Sequence, residues 1–192
     1  QRSYCDKRRN LYQMNRVNSA NIIVKESITQ ALLILMESKD FQKITITDIV
    51  NKAGVVRMSF YRNYTSKEDV LLKHLQEIHK EWADNIQETN ISEFIMTLFR
   101  LFESMKPTIE LLYKADLSHL LLRFINELCG AKAEQSNIEA YNHALIAASF
   151  FGWYDEWLKR GSQESPEEML ALFKEDCALA IFWSELLGRE LK

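Results

Sequence analysis

The sequence predicts an all-α protein, and three observations carry that expectation. Only 5 Gly and 2 Pro occur in 192 residues, too few to punctuate the many short strands of a sandwich, a barrel or a doubly wound sheet. Apolar residues recur at helical spacing along most of the chain. Clear helix-start signals stand ahead of those stretches, and no strand-like alternation competes with them. The content of 47 % apolar and 27 % charged residues is that of an ordinary globular protein.

Taken in order, residues 1–18 are polar and basic with little periodicity, and read as a flexible or partly helical arm. From Ser19 the pattern turns helical, with Ile28, Ala31, Leu32, Leu35 and Met36 on one face. Ser38-Lys39-Asp40 ends that helix. Thr45-Ile46-Thr47-Asp48 is a capping box, in which the Thr45 hydroxyl accepts from the Asp48 amide and the Asp48 carboxylate reaches back. Ile49, Val50 and Ala53 give this short helix its apolar side, and Gly54 breaks it. Val55 to Tyr61 is a second short helix. Ser66-Lys67-Glu68-Asp69 starts a longer one that runs to about Glu88, striped by Leu71, Leu72, Leu75, Ile78 and Trp82.

Asn90-Ile91-Ser92-Glu93 opens a helix bearing Phe94, Leu98, Leu101 and Phe102, with Lys106-Pro107 expected to break it. Thr108 to Tyr113 and Leu117 to Leu128 follow as separate helices. Ser136-Asn137-Ile138-Glu139 opens a long one that Gly161 stops. Ser165-Pro166-Glu167-Glu168 opens the last, with a cap hydroxyl, proline at the first helical position and acids facing the helix dipole. That helix is expected to reach about Leu187. The total is nine helices. The expected organisation is an arm over 1–18, a helix-turn-helix domain over 19–67, a connecting helix over 68–88 and a helical bundle over 89–192.

Charge divides the chain. Residues 1–67 hold 12 Lys+Arg and 5 Asp+Glu, a net of +7, whereas residues 68–192 hold 12 and 22, a net of −10. One end is therefore suited to a polyanion and the other is not. No stretch reaches the ~18 continuous apolar residues of a membrane span, and the basic start lacks the apolar run of a secretion signal. Cys5, Cys129 and Cys177 lie far apart with no CxxC pair, which fits a reducing cytoplasm and opposes a disulfide scaffold or zinc site. His74, His79, His119 and His143 show no metal spacing, and no GxSxG, Walker or GxGxxG string occurs. No catalytic residue, metal or cofactor is expected, and a cytoplasmic non-enzyme is the reading.

The informative segment is Thr45 to Tyr64. Two helices crossing steeply over a short turn need a small residue where they approach, here Ala53, and a backbone free to take positive φ, here Gly54. Val55 turns inward, with Ile49 and Phe60 as the other inner contacts. This is the helix-turn-helix pattern, whose second helix enters the DNA major groove. Arg57, Ser59, Tyr61 and Arg62 then lie outward, as donors to phosphate or, for the arginines, guanine. Lys67 and Thr45 each stand at a helix start, where free amides and a side chain can share a phosphate.

The segment resembles the DNA-binding domain of the TetR family of bacterial transcriptional regulators. The resemblance rests on Ile28, Ala31, Leu32, Leu35, Met36 and Phe41, then Thr45-Ile46, Asp48-Ile49, Ala53-Gly54-Val55, Phe60-Tyr61, Tyr64 and Ser66-Lys67-Glu68-Asp69. It covers about residues 22–72. It implies DNA contacts from Thr45, Thr47, Val56, Arg57, Met58, Ser59, Tyr61, Arg62, Asn63 and Lys67, with Phe60 in the core and Tyr64 packed with its hydroxyl at the DNA side. Val56 stands where the family often has Ser or Thr, Met58 where Gly is common, Asn63 for a frequent His and Tyr64 for a frequent Phe. These departures keep the fold but change the base contacts: Val56 lacks a side-chain cap and a phosphate contact, and the longer Met58 side chain can either pack on a thymine methyl or crowd the groove.

Beyond residue 90 the aromatics are mostly core. The resemblance also implies a pocket between these helices for a small-molecule effector, with Phe94, Phe102, Tyr113, Phe124, Trp153 and Trp157 as candidate lining residues. The last two helices are expected to pair two copies, Ala144, Ala147, Ala148 and Gly152 giving close approach, and Leu172, Leu179, Phe182, Trp183 and Leu186 an apolar stripe. A homodimer doubles the base contacts on a palindromic operator. The functional expectation is a dimeric DNA-binding repressor controlled by an effector, in which Arg62→Ala and Lys67→Ala weaken binding with a shallower salt dependence. The alternative is an adaptor acting through a protein partner, with the helix-turn-helix a remnant.

Overall fold

The structure is a computed structural model that describes residues 2–83 and 91–175. Among these residues it is all-helical: eight α-helices, one short 3-10 turn and no strand. The chain falls into two compact units, Gln1–His74 and Leu75–Lys192.

The first unit contains α1 (Arg2–Ser38), the 3-10 turn Phe41–Lys43, α2 (Ile46–Ala53), α3 (Arg57–Asn63) and the beginning of α4 (Lys67–Ala83). Residues 2–18, expected to form an arm, are the leading turns of α1. The Asp40 side chain accepts from the Gln42 amide at 3.0 Å and starts the 3-10 turn, an element that no sequence pattern announces. Ile28 and Leu32 of α1, Ile49 of α2, Phe60 of α3 and Leu71 of α4 are fully buried. They form one core, as the helical spacing of each apolar set requires. Each such side chain contributes roughly 1.5–3 kcal/mol by leaving water.

The second unit contains the rest of α4, α5 (Ile91–Lys114), α6 (Ser118–Cys129), α7 (Asn137–Lys159) and α8 (Pro166–Glu175). Helix α7 packs on α6, and α8 on α5. Pro107 does not break the chain into two helices as expected; α5 runs through it. A proline in a helix interior costs about 3 kcal/mol through its missing N–H and its crowded ring. The apolar face overrides that cost: Ile95, Leu98, Phe102, Met105, Ile109 and Leu112 are buried on both sides of Pro107 without loss of register, while Pro107 itself is exposed.

The expected starts are present where they can be compared. Ser136 and Glu139 form a reciprocal capping box on α7. At α8 the Glu168 amide donates to Ser165 Oγ at 3.2 Å, and the Ser165 amide to Glu168 Oε2 at 2.8 Å. Gly161 takes φ +88° just after α7, a left-handed stop that an L-residue resists. The final stripe positions Leu179, Phe182, Trp183 and Leu186, and residues 84–88 of the connecting helix, lie outside the described residues.

Candidate nucleic-acid interface

Helix α2 begins as its sequence dictates. Thr45 Oγ1 accepts from the Asp48 amide at 3.1 Å, and Asp48 Oδ2 accepts from the Thr45 amide at 2.8 Å and the Thr45 hydroxyl at 2.9 Å. Lys39, at the end of α1, donates to the same Asp48 oxygen at 2.7 Å. The Lys39 ammonium, helped by Thr45, lowers the Asp48 pKa from 3.8 to about 2. Lys39 was missed in the sequence; its only local signal was a position just after a helix end.

The turn follows from one residue. Gly54 sits at φ +67°, ψ 29°, where a Cβ would meet its own backbone. The Gly54 amide reaches the Asn51 carbonyl at 3.3 Å and the Val55 amide the Val50 carbonyl at 3.0 Å, closing the orphaned end of α2. Helix α3 then starts at Val56, an N-cap with no side-chain hydrogen bond.

Phe60 fixes α3 from within. It is fully buried, with its ring 5.6 Å from Tyr61 and 5.8 Å from Tyr64. Tyr64 is buried too. Its hydroxyl, expected at the DNA side, lies instead 3.4 Å from Thr29 Oγ1 and 3.5 Å from the Lys25 carbonyl of α1. That direction follows from burial, since a buried phenol takes the partners its core offers. Lys73 of α4 holds the far end: its ammonium donates to the Asn63 carbonyl at 2.9 Å and to Asp69 at 3.0 Å. A cation on the last carbonyl of a helix is favoured by the dipole. Sequence reasoning did not single out Lys73.

What remains of α3 faces outward. Val56, Arg57, Met58, Tyr61 and Arg62 are exposed, with Ser59 and Asn63 half-buried. Arg57 extends between two neighbours, with Nη1 3.4 Å from Thr47 Oγ1 of α2 and Nη2 3.0 Å from the Tyr61 hydroxyl. The guanidinium also lies 5.6 Å from the Tyr61 ring centre. Thr47, Arg57 and Tyr61 thus form one ordered polar row across both helices. Asn63 Nδ2 is used on the Ser59 carbonyl at 2.9 Å.

Lys67 is placed differently from the expectation of a free phosphate donor. Its ammonium donates to the Phe41 carbonyl and to the Ile44 carbonyl, the latter at 3.0 Å, and lies 4.2 Å from the Phe41 ring centre. It ties the start of α4 to the 3-10 turn that precedes α2. Thr45 likewise uses its hydroxyl within the capping box.

Of the aromatic positions in the second unit, Phe102 and Phe124 are fully buried and Trp157 nearly so. Phe102 lies 4.6 Å from Tyr154 between ring centres, and its carbonyl accepts from the Tyr154 hydroxyl at 3.0 Å. Trp157 donates to the Glu164 carbonyl at 3.1 Å, in the loop before α8. Phe94, Tyr113 and Trp153 are half-buried. Tyr113 donates to Asp155 at 2.6 Å; burial, with this bond added, pushes its phenol pKa well above the usual value. Trp153 meets Phe173 edge-on at 5.8 Å. On α7, Ala147 is fully buried inside the subunit and so is not part of a free small-residue face, whereas Ala144, Ala148 and Gly152 are exposed. Among the described residues no group of three or more His, Cys, Asp or Glu can hold a metal, and no helix is long and apolar enough to cross a membrane.

Comparison with known proteins bears on the first unit most directly. The family profile described as bacterial regulatory proteins, tetR family, matches residues 28–73. A curated relative, the uncharacterized HTH-type transcriptional regulator YxbF of Bacillus subtilis (strain 168), is 35 % identical over 63 residues, which is 32 % of this chain and 17 % of that protein. Two solved structures share the fold along most of the chain. A TetR transcriptional regulator from Streptococcus agalactiae 2603V has a TM-score of 0.57 at 22 % identity, covering 83 % of this chain and 96 % of its own. The dihydroxyacetone kinase operon activator DhaS has a TM-score of 0.56 at 18 % identity, covering 88 % and 99 %. The capping box, the glycine turn and the outward polar row all lie in residues 28–73, the segment that matches bacterial regulatory proteins of the tetR family.

Proposed function

We propose that this protein binds double-stranded DNA as a homodimer on a palindromic operator and regulates transcription as a repressor under effector control. One observation carries the reading. Helix α3 is locked from within by Phe60 and from its end by Lys73, yet turns Arg57, Tyr61 and Arg62 to solvent. A rigid helix with an outward row of donors, in the basic part of the chain, is what a major groove accepts. Arg57 and Arg62 take guanine or phosphate, and Ser59 and Tyr61 take phosphate. Thr47 and Thr45 approach the backbone from α2, Asn63 stands at the end of α3, and Val56 and Met58 face base edges. Lys67 acts chiefly by holding the 3-10 turn against α4.

The proposed pairing surface is the outer face of α7. Ile138, Tyr141 and Leu145 are exposed there at helical spacing and continue into Ala148 and Gly152, where an added Cβ meets nothing within 4 Å. Exposed Leu172 adds to it from α8. Of the candidate lining residues, Phe94, Tyr113 and Trp153, all half-buried, are best placed to meet an effector from solvent. An effector that prefers one arrangement of the dimer shifts operator affinity by population shift. The name of DhaS, an operon activator, makes activation the variant of this reading to test beside repression. The proposed site of action is the cytoplasm, and no catalytic role is proposed.

The test starts with selection from a random duplex pool using the full chain. The expected product is a palindrome bound as a dimer. Binding to that duplex is then titrated at several salt concentrations. Arg62→Ala should make the salt dependence shallower by about 0.9 in log–log slope for each phosphate that the variant no longer neutralises. Lys67→Ala should lower affinity and leave the slope unchanged, because its ammonium is already engaged by two carbonyls. Failure to enrich any sequence would favour an adaptor that works through a protein partner.

A further inference from the structure

We propose that Val56 and Met58 recognise a thymine in each operator half-site through its 5-methyl group, an inference that rests on the DNA-binding reading above. Val56 is 69 % exposed and Met58 67 %, so neither gains much from the protein core. Val56 also occupies the N-cap of α3 without capping it. Valine is among the poorest residues at that position, where Ser or Thr would satisfy an orphaned amide. The position forgoes local stability and keeps an apolar surface in water. A contact made outside the subunit recovers what both residues lose.

The chemistry of the groove narrows that contact to one group. Val56 and Met58 carry no strong donor, so neither suits a phosphate. Base edges in the major groove present donors, acceptors and a single apolar group, the thymine 5-methyl. The first residues of a recognition helix are those that meet base edges. Arg57, which lies between the two, is tied to Thr47 and Tyr61. The first turn of α3 therefore offers one guanidinium flanked in sequence by two apolar side chains. The stiff valine sets one wall against the methyl, and the adaptable thioether of methionine covers it.

The experiment uses the full chain and the duplex enriched from a synthetic random pool. Such a pool contains no 5-methylcytosine, so every major-groove methyl in it belongs to thymine. Each thymine of the half-site is replaced by uracil, which removes only the methyl, and binding is followed by fluorescence anisotropy. One or two positions per half-site should weaken binding about three- to fivefold per methyl removed. Val56→Ser and Met58→Ala should abolish that penalty and leave the salt slope unchanged, and Val56→Ser should raise the melting temperature by restoring a cap. Both side chains are exposed, so both variants keep the fold. An enriched duplex that is indifferent to uracil, or variants that retain the full penalty, would overturn methyl recognition while leaving DNA binding in place. A pool from which nothing is enriched would overturn both.

Discussion

Asp48 is acceptor for the Thr45 amide, the Thr45 hydroxyl and the Lys39 ammonium at once, and its carboxyl is held at about 2. The folded value lies below the ordinary 3.8, so the folded unit resists protonation. The stability it confers is complete above the ordinary value and is lost as pH falls toward 2. Helicity followed by circular dichroism in denaturant should show Asp48→Asn less stable than wild type at pH 6, with the difference vanishing as pH approaches 2. A difference that is constant with pH would mean that the charge is not what matters. Gly54 makes a different claim at the same scale. Nothing stands within 4 Å of a Cβ added there, so the cost of Gly54→Ala is backbone strain alone. Chemical denaturation should find it about 1–2 kcal/mol less stable; a neutral result would remove the reason for glycine. Both the capping box and the glycine turn were legible in the sequence because each is written within a few consecutive residues. Lys39 was not, because its partner lies nine positions away around a 3-10 turn that no periodicity announces.

At the scale of elements, what decides an outcome is the face a helix buries. Pro107 carries a strong local breaking signal, yet α5 continues through it because Met105, Ile109 and Leu112 extend the buried set of Ile95, Leu98 and Phe102. Local propensity was legible and the packing that overrides it was not, since α8 lies on α5 from more than fifty residues away. The directions of Tyr64 and Lys67 escaped the sequence for the same reason: each is set by elements distant in the chain, α1 for one and the 3-10 turn for the other. The outward row on α3 was legible because a short helix with one buried aromatic leaves little choice of face. Pro107 is exposed, so Pro107→Ala restores an amide donor to the Glu103 carbonyl and removes ring crowding without touching the core. Thermal unfolding should show stabilisation of about 1–3 kcal/mol, and a lower melting temperature would mean that the proline serves α5 in some other way.

For the whole molecule the proposed function poses the question of how a seven-residue helix, α3, becomes specific in reading DNA. A single such helix reaches only a few base pairs, and affinity from phosphates alone carries no sequence information. Two copies related by a two-fold axis double the reading and impose a spacing. The second unit is the acidic part of the chain, so electrostatic attraction to DNA does not favour it as a contact. Its α7 buries Ile146, Phe150, Tyr154 and Trp157 on one side while exposing Ile138, Tyr141 and Leu145 on the other. A helix apolar on both sides is suited to lie between two cores, and in the proposed dimer a second copy supplies the missing one. Leu145→Glu places a charge on that outer side without disturbing the buried one. Sedimentation velocity should then show the monomer at concentrations where the wild type is dimeric, with circular dichroism unchanged. Binding to the palindromic duplex should weaken by at least tenfold, while binding to a single half-site stays as it was, because α3 is untouched. A variant that remains dimeric, or that loses half-site binding as well, would place the pairing surface elsewhere on the second unit.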